Sequence, residues 1–198
     1  MKKLLTILSL FVIFSVAGCN SDTTSSGDST PSTSYFPLTS GSWWKYERSG
    51  GTYTMITTDI SIYNGKTYTS RVDQSDSNGN TFTVSGTKIY QLLPDSTFLG
   101  LMEVVYADLA AGATWSTDVT MFIGRTKTNG KTVETGISHT VLGKTYPNVI
   151  HIHLEIESEA FGFTTKKTEE QYFAKGVGIV EIKTDSVSTD RLVDYLIK

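Results

Sequence analysis

Short alternating runs, cut again and again by residue pairs that tolerate positive φ, constrain this chain more than any other feature. Asn64-Gly65, Asn78-Gly79 and Asn129-Gly130 each follow such a run, and Gly50-Gly51, Pro94-Asp95 and Phe161-Gly162 punctuate others. Asn-Gly suits type I′ turns, in which both central residues have positive φ. The runs are rich in Thr, Tyr, Val, Ile and Phe, as in SWWKYERS (42–49), TYTMITTDISIY (52–63) and TFLGLMEVVY (97–106). None carries a sustained helical period. Turns this short join antiparallel neighbours, because parallel pairing needs a long crossover. About 10–12 strands result, and a sheet of that size curls or closes. The expectation is an all-β domain over residues 35–198, an antiparallel meander curled into a barrel, half-barrel or sandwich. ADLAAGAT (107–114) reads as a loop or a single helical turn. RLVDYLIK (191–198) reads as a final strand, with a short terminal helix as the alternative.

One run has candidate chemistry. In VIHIHLEIE (149–157), strand alternation puts Ile150, Ile152, Leu154 and Ile156 on one face and His151, His153, Glu155 and Glu157 on the other. His151 and His153, two apart on a strand, could hold zinc with Glu155 and a water. His139 is the remaining histidine and could lie on a neighbouring strand. A metal-dependent hydrolase built on His151 and His153 is therefore the alternative function. The simpler reading is a strand with one wet face, normal for antiparallel sheets. Lys166 and Lys167, across the Phe161-Gly162 turn, would then pair with Glu155 or Glu157.

Other patterns fail their own tests. DQSDSNGN (73–80) has clustered oxygens, but counting from Asp76 a calcium loop wants Gly and Glu where Thr81 and Thr87 stand. GDST (27–30) lies in a low-complexity tract, without the strand-to-helix elbow a nucleophilic serine needs. Glu169 and Glu170 are adjacent, so in a strand they face opposite ways and cannot share a substrate. No catalytic residue is assigned.

The N-terminus supplies an address. Met1-Lys2-Lys3 precedes an apolar run from Leu4 to Ala17, with no acid before Asp22. This describes a secretory signal peptide, residues 1–18. The run is shorter than the ~20 residues a membrane-spanning helix needs. The chain's one cysteine, Cys19, comes directly after Val16-Ala17-Gly18. That block resembles the lipobox of bacterial lipoproteins, which implies a diacylglyceryl group on the Cys19 sulfur and further acylation, palmitate included, after cleavage. Residues 19–34 would form a lipidated tether, since 20–34 holds no apolar side chain except Pro31 and cannot offset its own ordering entropy. Cleavage removes two lysines and no acid, leaving 15 basic against 20 acidic side chains and a formal charge of −5. That balance argues against nucleic acid and leaves membrane attachment to the lipid. Asn20 after the cysteine favours an outer membrane over inner-membrane retention, if the organism has one.

Three further blocks extend the likeness. Tyr35-Phe36-Pro37-Leu38 with Gly41, Trp44 and Tyr46 opens the domain; Leu109, Gly112 and Trp115 stand mid-chain; Tyr172-Phe173-Ala174, Gly176-Val177-Gly178 and Val180 come late. Together these resemble bacterial lipoproteins of unassigned function that read YFPL-x-x-G-x-x-W-x-Y after the tether and YFA-x-GVG-x-V near the end. The resemblance implies a lipid-anchored antiparallel β domain and no active site. Physically, Trp44, Tyr46 and Trp115 read as core, because large rings dominate core energetics. A ligand platform of Trp43, Trp44 and Trp115 is the sharper alternative. The function expected is non-catalytic binding or scaffolding in the cell envelope, toward a hydrophobic ligand or an envelope protein partner, with no cofactor required.

Overall fold

The computed structural model describes residues 34–75, 79–94, 101–121, 124–185 and 188–198. The signal peptide, Cys19, the tether as far as Thr33 and part of the 73–80 loop lie outside the described residues.

Twelve antiparallel strands form one sheet whose order follows the chain except at a single seam. They are β1 (Trp43–Arg48), β2 (Gly51–Tyr63), β3 (Lys66–Asp73), β4 (Gly79–Ser85), β5 (Lys88–Pro94), β6 (Leu101–Asp108), β7 (Thr114–Met121), β8 (Gly124–Val141), β9 (Lys144–Ala160), β10 (Phe163–Ala174), β11 (Gly178–Thr184) and β12 (Ser188–Leu196). The meander from β1 to β6 joins the meander from β7 to β12 through a β1–β12 pair, with Trp43 opposite Leu196 and Glu47 opposite Arg191. The outermost strands, β6 and β7, come alongside each other without a backbone ladder. Side chains stitch them instead: Thr117 Oγ1 donates to the Val105 carbonyl at 2.8 Å. The result is a barrel closed almost all the way round. No helix occurs among the described residues, so 109–113 is a loop and the C-terminal segment is a strand.

Turn chemistry explains most hairpins. Asn64 and Gly65 have φ of 48° and 75°, the pairing a type I′ turn needs, and Phe161 and Gly162 have 51° and 79°. Asn129-Gly130 departs from expectation. It lies inside β8, where Gly130 pairs with Trp115 on one side and Leu154 on the other. A Cβ on Gly130 would come within 2.1 Å of the Trp115 ring. The glycine is there to let an indole lie flat on the strand, not to turn the chain.

The interior is filled from both meanders. Phe82, Ile89 and Ala107 meet Ile150, Ile152, Leu154, Phe173 and Ile179 across the barrel. At the end where β1 starts, the segment before β1 enters the barrel and plugs it. Phe36 is 2% exposed, with its ring centroid 5.2 Å from Phe82 and 6.3 Å from Phe173. Gly176 N–H donates to the Ser34 carbonyl at 2.9 Å, fastening the plug to the β10–β11 turn.

The β8–β9 hairpin is longer than the barrel is tall. Its register shifts three times between Thr132 and His139, and such bulges bend a strand and increase its twist. The tip folds over the sheet, carrying His139 across to β10 and β11. Val141, Tyr146 and Val149 there pack in a second cluster with Ala174, Val177 and Val180.

Candidate binding site

The alternation read from 149–157 is observed. Ile150, Ile152 and Leu154 are buried inward, while His151 and His153 face out with side chains 15% and 33% exposed. All three histidines gather on this outer face. The Tyr172 ring is sandwiched between His139 and His151, at centroid distances of 3.8 and 4.6 Å and interplanar angles of 2° and 9°. His139 Nε2 donates to Glu181 Oε2 at 2.7 Å. His151 Nε2 and His153 Nδ1 each donate at 2.6 Å to a different oxygen of Glu170. One carboxylate thus occupies the position between the two imidazoles. Glu155 does not join them: it lines a charged outer groove with Lys127, Glu157, Lys166 and Asp185. Among the described residues, no group of three or more His, Cys, Asp or Glu side chains is arranged to hold a metal ion. The arrangement anchors the folded-over hairpin tip through stacking and ionic hydrogen bonds. Of the lysines, Lys166 pairs with Glu157 at 3.0 Å as expected, but Lys167 pairs with Glu169 at 2.8 Å.

The tryptophans do not share a surface. Trp44 is fully buried and donates its indole N–H to the Val177 carbonyl at 2.6 Å. Trp115 packs against the main core beside Gly130. Trp43, one residue from Trp44 in β1, has the opposite facing.

The feature best suited to a ligand is inside the barrel. Toward the end opposite the Phe36 plug lies a cavity of about 340 Å³. That is within the range of small-molecule sites, which run from about 300 Å³ upward. Leu93, Val104, Val119, Leu154 and Ile156 give it apolar walls, with Tyr106, Gln171 and Glu169 as polar points. Tyr106 Oη donates to Gln171 Oε1 at 3.1 Å, and Gln171 Nε2 donates to Glu169 Oε2 at 3.0 Å. Burial pushes the Tyr106 hydroxyl up to about 12, with the Glu169 charge adding to the effect. Glu169 faces in and Glu170 faces out, as their adjacency requires.

Sequence reading missed two interior charges. Asp190 is 5% exposed. The Nε and Nη2 of Arg48 grip its two oxygens at 2.5 and 2.6 Å, and Tyr53 Oη donates to it at 2.9 Å. Hydrogen bonding and charge from Asp190 hold the Arg48 guanidinium firmly protonated. Arg71 is 4% exposed, lying 4.5 Å from the Phe36 ring centroid and 4.0 Å from that of Trp44. Burial lowers its proton affinity, and the groups acting on it are neutral tyrosine hydroxyls, not carboxylates. Alternation in TYTSRVDQ suggests the reverse facing, with Val72 in and Arg71 out. The register with Phe82, two positions along in the neighbouring strand, sets the actual one.

No family model matches the chain, and no curated protein matches it. Among solved structures, a candidate lipoprotein from Parabacteroides distasonis is similar in fold, with a TM-score of 0.53 and 12% identity. The match covers 83% of this chain and 99% of that one, so the likeness extends over the whole barrel.

Proposed function

We propose that this protein is a lipid-anchored cell-envelope lipoprotein whose barrel binds a hydrophobic small molecule without transforming it. The apolar cavity beneath Tyr106 carries the binding half of this reading. A barrel packed solid by its own side chains would be a scaffold, whereas a cavity of about 340 Å³ gives an apolar guest a place to leave water. The anchoring half rests on Cys19 and its flanks, and the fold shared with a candidate lipoprotein is in keeping with it. Two or three acyl chains on Cys19 would hold the protein on a membrane, the outer one where two exist. Each buried methylene contributes about 0.8 kcal/mol.

Solvent extraction of the purified protein, followed by mass spectrometry, tests the binding half. A co-purifying hydrophobic compound near one equivalent is expected, and it should fall when Leu154→Trp fills the cavity. Repeated recovery of no such compound, together with no binding of added amphiphiles, would leave a scaffold that docks an envelope protein. Labelled palmitate on the wild-type chain and its loss in Cys19→Ser test the anchor; a soluble, unlabelled wild-type product overturns it.

A further inference from the structure

Two arginines reach the barrel's interior, Arg48 with its side chain 54% exposed and Arg71 only 4% exposed, and their hydrogen bonding differs. Arg48 uses its Nε and Nη2 edge to hold the Asp190 carboxylate with two parallel hydrogen bonds. Arg71 has the same two atoms buried and without a hydrogen-bond partner among the described residues. Its guanidinium lies against the rings of Phe36 and Trp44, with a polar contact to the Tyr46 hydroxyl. Asp190 is already taken by Arg48 and Tyr53, and Glu169 by Lys167 and Gln171. A buried guanidinium is costly without a counter-charge. Its side-on edge is shaped for the two oxygens of a carboxylate.

Arg71 is one aromatic ring away from the cavity's wall. Its guanidinium lies 4.5 Å from the Phe36 ring centroid, and that ring is 6.3 Å from the ring of Tyr106, which borders the cavity. From these positions we infer that the guest is a single-chain amphiphile with a carboxylate head, its tail in the apolar cavity and its head passing Tyr106 to pair with Nε and Nη2 of Arg71. This rests on the reading of the cavity as a ligand site and adds the ligand's charge and the residue that selects it.

Calorimetric titration of the purified protein with dodecanoate and with dodecanol, both below their aggregation concentrations, tests the assignment. Dodecanoate is expected to bind at least tenfold more tightly than dodecanol. Arg71→Met keeps the side chain's bulk and removes its charge; it should abolish that preference and leave dodecanol affinity unchanged. Lys167→Met, which removes the other cation near the cavity, should keep the preference. Equal binding of acid and alcohol by the wild type overturns the inference and leaves the cavity reading standing. A preference lost in Lys167→Met, or kept in Arg71→Met, overturns it too. Absence of binding by either compound overturns both readings. Should Arg71→Met not fold, the wild-type comparison and Lys167→Met decide.

Discussion

Gly130→Ala should destabilise the barrel although it replaces glycine by a residue that strands and helices both tolerate better. An added Cβ would lie 2.1 Å from Trp115 Cε2, 2.2 Å from Cζ2 and 2.6 Å from Nε1. The indole must move, and the strands on either side give it little freedom. Overpacking of this kind costs about 1–3 kcal/mol. Against it stands the smaller backbone entropy lost by alanine, about 0.5–1 kcal/mol in alanine's favour. The net expectation is a loss of about 1–2 kcal/mol, or a melting point lower by roughly 2–8 °C for a domain of this size. The decisive measurement is a double-mutant cycle by urea unfolding. In a Trp115→Ala background the clash disappears, so adding Gly130→Ala should become neutral or stabilising, with a coupling of about 2 kcal/mol. If Gly130→Ala stabilises the wild type, or if the two changes simply add, the glycine is not there to seat the ring.

The interior and the outer stack yield three more expectations. Phe36→Ala should cost about 3–5 kcal/mol, because the plug's ring is buried among Phe82, Tyr106 and Phe173; an unchanged urea midpoint would refute the plug. Tyr172→Ala removes the ring between His139 and His151, so amide exchange in 137–147 should speed up roughly ten- to hundredfold while β3–β5 keeps its protection. Equal acceleration everywhere would mean the tip is not a separate unit. Alkali should unfold the protein between about pH 10 and 12. Desolvation pushes the Tyr46 hydroxyl up to about 12 from 10.0, so the folded state holds that proton more tightly than the unfolded chain. The stability is intact below the unfolded value and is lost as pH rises toward the folded one, by roughly 2–3 kcal/mol for Tyr46. Burial likewise pushes the Tyr106 hydroxyl up to about 12, so it contributes in the same direction. Tyr46→Phe should flatten the alkaline limb of stability against pH; an unchanged limb would contradict the assignment.

Local rules carried the sequence a long way here. Period-two alternation and positive-φ pairs act between chain neighbours, so the strands, most hairpins, the antiparallel order and the facing of 149–157 were legible without coordinates. Asn129-Gly130 shows the limit of that logic. The dipeptide is equally consistent with a turn or with space beside an indole, and only the registers with Trp115 and Leu154 distinguish them. Closure of the barrel, the Phe36 plug and the gathering of His139, Tyr172 and His151 needed the tertiary structure. They join the two ends of the chain, or carry His139 two strands across to Tyr172, through bulges and curvature that no local pattern specifies. Arg71 is the sharpest case. A charged side chain carries no local sign of facing inward, and the pairing of β3 with β4 turns it into the core, because register is shared by a whole strand and Thr69 faces in beside Phe82.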